Sequence, residues 1–130
     1  MRQNITLENN QSLQTSAILT EVRPWGKFEI LLDNPDVKVK RITVDPGQRL
    51  SYQYHEKRSG VWTVVSGMLT IVLDGDKLFR GKGQSVRIRQ GDKHRAWNET
   101  DKPVVFIEVQ TGTYFGEDDI IRIEDDYKRN

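Results

Sequence analysis

The chain contains no cysteine. Disulfides and thiolate metal ligands are therefore both excluded, and any metal must rest on histidine, carboxylate, amide oxygen or water. Histidine is almost as scarce, with only His55 and His94. No charge of one sign dominates: 20 Lys and Arg face 19 Asp and Glu, for a net charge of +1. That balance excludes the basic excess of a general nucleic-acid binder, though it leaves room for a local arginine cluster that holds one phosphate. No apolar run approaches the roughly 20 residues that span a bilayer. The opening residues MRQNITLENNQSLQTSAILTE lack the basic start and apolar stretch of a signal peptide. Neither nucleic acid nor membrane is expected as a partner, and the cytoplasm is the expected compartment.

What is present is a succession of short β segments. A length of 130 residues suits one domain. Residues 1–20 are polar and weakly patterned, and are expected to form a mobile arm or a strand that orders only against a partner molecule. Residues 21–130 carry the folded domain. Strands are predicted over Lys27–Leu32, Val37–Val44, Leu50–His55, Val61–Ser66, Met68–Leu73, Ser85–Ile88, His94–Asn98 and Val104–Gln110, separated by Gly-, Asp- and Pro-containing breaks. The alternation of Val37–Val44 changes phase at Lys40-Arg41, where a bulge is expected. The acidic tail GEDDIIRIEDDYKR suits one short strand or a turn of helix, and no segment before Tyr114 has a helical stripe. Strands with turn signals every eight to twelve residues or so predict an all-β sandwich or barrel.

Two spacings coincide within that pattern. The first runs Gly47, Gln53, His55, Gly60, Gly67, and the second runs Gly83, Arg89, Gly91, His94, Asn98. Both resemble the paired motifs of the cupin superfamily, which implies a double-stranded β-helix, or jelly-roll, barrel. Gln53 stands at the first histidine position of that pattern, Gly60 at the glutamate and Arg89 at the proline. Side chains two apart on a strand share a face, so Gln53 and His55 point the same way and His94 can approach from the opposite sheet. Two imidazoles and an amide oxygen suit Zn, Mn, Ni or Fe better than Ca or Mg. Three neutral ligands leave a divalent ion uncompensated, so the site is expected to bind metal weakly or not at all.

A closer resemblance lies in Arg23-Pro24-Trp25-Gly26, Val39–Val44, Pro46–Ser51, Gln53, His55, Arg58, Trp62, Val64–Gly67, His94-Arg95, Asn98, Ile107–Gln110, Gly112, Tyr114 and Gly116–Ile120. These segments resemble the C-terminal domain of type II mannose-6-phosphate isomerases, which also occurs fused to mannose-1-phosphate guanylyltransferases. The resemblance implies interconversion of mannose 6-phosphate and fructose 6-phosphate with a divalent metal held by Gln53, His55 and His94. The family's glutamate does not carry over, because Gly60 occupies its place. The guanylyltransferase domain has no counterpart here, so nucleotidyl transfer is not expected of these residues.

Aldose–ketose isomerisation needs a base, an electrophile for the carbonyl and a phosphate anchor. Alternation along VFIEVQ places Phe106, Glu108 and Gln110 on one face, which makes Glu108 the candidate base. The bland alternative is that Glu108 pairs with a nearby arginine. Arg41, Arg58, Arg95 and Arg122 are the candidate phosphate ligands, as arginine binds phosphate in a bidentate fork. Arg58 and Arg95 flank the two histidines, and Arg58 joins Glu108 as a candidate catalytic residue. Trp62 is expected in the core and Trp25 is expected to pin the first strand. Two functions fit: a sugar-phosphate isomerase, or a cupin that has lost catalysis and binds a sugar phosphate or a partner. A homodimer is expected, because open sheet edges need cover.

Overall fold

The structure is a computed structural model and describes residues 17–128. The described strands are β1 (Leu19–Arg23), β2 (Gly26–Asp33), β3 (Val37–Val44), β4 (Tyr52–Tyr54), β5 (Arg58–Ser66), β6 (Leu69–Leu73), β7 (Asp76–Arg80), β8 (Ser85–Ile88), β9 (His94–Trp97), β10 (Val104–Gly112) and β11 (Ile121–Glu124), with one 3₁₀ turn at Glu117–Asp119. They form two antiparallel sheets in the orders β1-β2-β3-β10-β5-β8 and β11-β4-β9-β6-β7. The all-β jelly-roll expected from the motifs is what the chain forms. No described helix is long and apolar enough to cross a membrane.

The core lies between the sheets. Phe28, Ile42, Val44, Val64 and Phe106 from the larger sheet meet Leu69, Ile71 and Ala96 from the smaller one. Each alternates with outward residues along its strand, as a sheet with one buried face requires. Trp25 is buried, and its carbonyl accepts the Asp45 backbone N–H at 2.9 Å, so it pins the first hairpin as expected. The glycine that follows it is obligatory. At Gly26 φ is +149°, and a Cβ would lie 2.1 Å from the Thr43 carbonyl oxygen.

Three expectations need correction. Leu19–Arg23 is a strand paired with β2 of its own chain, so the boundary drawn at residue 20 falls inside β1; residues 1–16 of the expected arm lie outside the described residues. β7 was missing from the predicted strands. It follows β6 through an Asp74-Gly75 hairpin whose two residues have φ of 48° and 87°, the geometry that two-residue hairpins demand. The bulge is not in β3, which pairs with β10 without interruption. It lies across the ladder in β2, where the register shifts between Ile30 and Leu32. The phase change in the sequence has another cause: Lys40 is an inward residue, in line with Ile42 and Val44.

Candidate active site

Strand register assembles two facing rows of polar side chains at one end of the barrel. In the larger sheet Lys40 lies directly opposite Glu108, and Glu108 opposite Trp62. In the smaller sheet Arg122 lies opposite Gln53, and Gln53 opposite His94. His94 joins the rows, its ring meeting Trp62 edge-on at 5.6 Å between centroids. His55 follows β4, and Arg58 opens β5. All of these line one cleft that is part-open to solvent.

The tail sets the far wall. Asp119 is buried, and its carboxylate accepts the backbone N–H groups of Glu56 and Lys57, both at 3.1 Å. This ties the 3₁₀ turn to the loop after His55 and lays β11 beside β4. The GEDDI segment therefore works as a clasp that delivers Arg122 to the cleft.

The predicted residues separate cleanly. Gln53, His55, His94, Glu108, Arg58 and Arg122 converge on the cleft. Arg41 does not: it sits on the outer face and forks onto Glu29 with two bonds of 2.8 Å. Arg95 is buried but faces away from His94. It donates to the Leu50 carbonyl at 2.9 Å and to Glu124 at 2.6 Å. Parity explains both failures, since each neighbours an inward residue and so points outward. Among the described residues Glu108 forms no ion pair with arginine. Its Oε2 accepts the Trp62 Nε1–H at 2.8 Å, so Trp62 is a core residue with a polar task. Asn98 of the second motif is a latch, donating to the carbonyls of Val44 and Lys102 at 2.9 and 2.7 Å.

Sequence reasoning passed over Lys40, which lines the cleft with its Nζ 4.5 Å from the Phe28 ring centroid. Its i, i+2, i+4 spacing with Ile42 and Val44 was the available signal. Arg23 and Glu117 were also passed over and also line the cleft. The lining carries Arg23, Lys40, Arg58 and Arg122 against Glu108 and Glu117, an excess of positive charge that suits an anion. The Nε atoms of Arg58 and Arg122 are buried and have no hydrogen-bond partner among the described residues, so both retain donor capacity that a ligand oxygen would satisfy.

The two histidines are held neutral. Burial pushes His55 down to about 2, with the charges of His94, Arg58 and Lys40 adding to the effect. Burial also lowers His94, opposed by its bond to the Asp92 carbonyl. That bond, 2.8 Å from His94 Nδ1 to Asp92 O, requires the proton on Nδ1 and leaves Nε2 with a lone pair. His55 Nε2 accepts the Gln53 side-chain N–H at 3.4 Å, so it too is unprotonated. The ring centroids stand 5.1 Å apart. Two imidazoles bound to one ion at ordinary Zn–N lengths place their centroids about 5 Å apart, so the spacing of the pair is compatible with a shared ion. Gln53 is less ready, as its amide oxygen is engaged by the Ser51 hydroxyl. At Gly60 a Cβ would lie 3.4 Å from Glu108 Oε2, so the nearest carboxylate already abuts the space that a longer side chain would enter. Among the described residues no three His, Cys, Asp or Glu are grouped closely enough to hold a metal ion.

Comparison with known proteins agrees with this architecture. The family model described as Mannose-6-phosphate isomerase C-terminal matches residues 8–125. The chain is 41% identical over 107 residues to a mannose-1-phosphate guanylyltransferase of Escherichia coli K12, covering 82% of this chain and 22% of that protein. It is 40% identical over 124 residues to the alginate biosynthesis protein AlgA of Pseudomonas putida, covering 95% of this chain and 26% of that protein. The chain thus spans about a quarter of the length of these curated relatives. Among solved structures, the capsular polysaccharide assembling protein CapF of Staphylococcus aureus superposes with a TM-score of 0.73 at 23% identity, covering 82% of this chain and 34% of that one. KdgF from Halomonas sp. gives 0.68 at 20% identity, covering 75% and 86%. At those identities the structural likeness speaks for the fold alone. The chain belongs to the family of mannose-6-phosphate isomerase C-terminal domains and has a cupin fold.

Proposed function

We propose that the cleft binds a sugar phosphate and interconverts its aldose and ketose forms, with mannose 6-phosphate and fructose 6-phosphate as the pair. The observation that carries this reading is the convergence of a buried carboxylate, two neutral imidazoles and two arginines with unused donors in one anion-attracting cleft. Arg58 and Arg122 hold the phosphate through charge-assisted bonds. Glu108, held in place by Trp62, moves the proton between C1 and C2. His55 and His94 would hold a divalent transition metal, joined by Gln53 once its amide oxygen leaves Ser51, and the ion would polarise the sugar carbonyl. The barrel wall shields Glu108 from water and keeps the two imidazoles in the form that accepts rather than donates. A homodimer formed at the sheet edges belongs to the same proposal, with light scattering as its check.

Gly60 favours a second reading, a cupin that binds the sugar phosphate without turning it over, because the family's carboxylate is missing at that position. One experiment separates the two. Chain purified without a histidine tag is analysed for metal, then assayed for isomerisation of mannose 6-phosphate with Zn, Mn, Ni or Fe(II) added. About one equivalent of metal with turnover supports the isomerase. Binding of mannose 6-phosphate without turnover under every metal supports the binding module.

A further inference from the structure

We infer that Lys40 is a further catalytic residue, the proton donor to the sugar's carbonyl oxygen, acting beside Glu108. The inference rests on the isomerase reading above.

Lys40 and Glu108 are directly opposed on β3 and β10, and both side chains are buried on the inner face. Opposed residues have Cβ atoms about 4.5–5.5 Å apart, so their end groups reach neighbouring atoms of one small substrate. Glu108 is held by Trp62. Lys40 lies over Phe28 and forms no ion pair among the described residues, so its ammonium is not committed to a carboxylate. Arg58 and Arg122 are available for the phosphate, which leaves Lys40 for the other end of the sugar. Burial holds the Lys40 ammonium below the ordinary lysine range, opposed by Glu108 and Glu117. The neutral amine is thereby brought within reach during turnover.

The proton balance closes with these two groups. In the open-chain aldose Glu108 takes the C2 proton, the C2–H electron pair becomes the C1=C2 bond, and the C1=O π pair moves to O1, which takes a proton from Lys40. The enediol then collapses: the O2 proton returns to the Lys40 amine, C2=O forms, and the Glu108 proton is delivered to C1. Both side chains end as they began, and no oxidant or reductant is needed.

The test compares a ground-state ligand with a mimic of the enediolate. Mannose 6-phosphate and the hydroxamate of a five-carbon aldonate phosphate are titrated calorimetrically into the full chain and into Lys40→Met and Lys40→Arg. Wild type is expected to bind the hydroxamate at least about 30-fold more tightly than the sugar. Lys40→Met is expected to lose about that factor for the hydroxamate, to change less than about threefold for the sugar, and to lower kcat about 100-fold with KM little altered. Lys40→Arg keeps the charge but does not release its proton, so it keeps sugar affinity and still loses kcat; it carries the test if Lys40→Met does not fold. Equal loss of both ligands in Lys40→Met, an unchanged kcat, or a wild type that binds the sugar but prefers it to the hydroxamate overturns the role of Lys40 alone. A wild type that binds neither ligand and isomerises nothing overturns the sugar-phosphate reading, and this inference with it.

Discussion

Trp62 and Glu108 share a hydrogen bond of 2.8 Å across adjacent strands, with the indole buried and the carboxylate at the cleft wall. The bond fixes the carboxylate that, among the described residues, lines the cleft from the larger sheet. Trp62→Phe keeps the ring that stacks on Phe106 at 4.8 Å but removes the donor. Leaving Glu108 short of a partner costs about 1–3 kcal/mol, read as a lower urea midpoint with an unchanged slope. An unaltered midpoint would show that Glu108 finds another donor.

The neutral histidines make stability fall in acid. His55 takes its proton near 6.5 when unfolded but only at about 2 when folded. Between those values the unfolded chain binds more protons, so unfolding becomes easier as pH drops below about 6.5. The slope attributable to His55 approaches about 1.4 kcal/mol per pH unit, and the lowered His94 acts in the same direction. Urea unfolding of wild type and His55→Asn at pH 7, 5.5 and 4.5 isolates the effect. The variant is expected to have the shallower pH dependence, and parallel profiles would refute the assignment.

Arg41 and Arg122 offer a matched contrast. Arg41 is on the outer face with Glu29, so Arg41→Ala is expected to leave sugar-phosphate binding unchanged and to alter stability by no more than about 1 kcal/mol, as exposed pairs do. Arg122 lines the cleft. Arg122→Ala is expected to weaken mannose 6-phosphate binding at least about tenfold, measured by calorimetry. Equal effects of the two variants would remove Arg122 from the site.

Gly60→Glu restores a carboxylate facing the lumen. A Cβ there meets Glu108 Oε2 at 3.4 Å, so the new side chain sets two carboxylates side by side. Like charges in a shielded cleft repel, so the metal-free variant is expected to be less stable than wild type by about 1–3 kcal/mol. Zn is expected to reverse that loss and to bind more tightly than in wild type, as seen in thermal melts with and without the ion. A variant that Zn does not stabilise would place position 60 outside the metal seat.

The sequence made some of this legible and hid the rest for a physical reason. Alternation and turn chemistry showed most of the strands, and motif spacing brought His55, His94 and Gln53 to one place. Arg41 and Arg95 misled because nearness in sequence to an inward residue means the opposite face on a strand. Lys40 was hidden by its own chemistry, since a lysine at an inward position looks like a break in the hydrophobic pattern. Asp119 stood out only within the resembling Gly116–Ile120 segment, and its role was hidden because its two partners are backbone N–H groups more than sixty residues away.

The clasp at Asp119 fastens a late segment of the chain onto a core built earlier in the sequence. Every residue of the buried hydrophobic cluster lies between Trp25 and Phe106, whereas Glu117, Ile120 and Arg122 on the cleft rim all follow Gly116. Arg122 is thus the tail's share of a cleft whose other walls come from the barrel, so a cut just after Gly116 is expected to cost the Arg122 contact while His55, His94 and Glu108 keep their places.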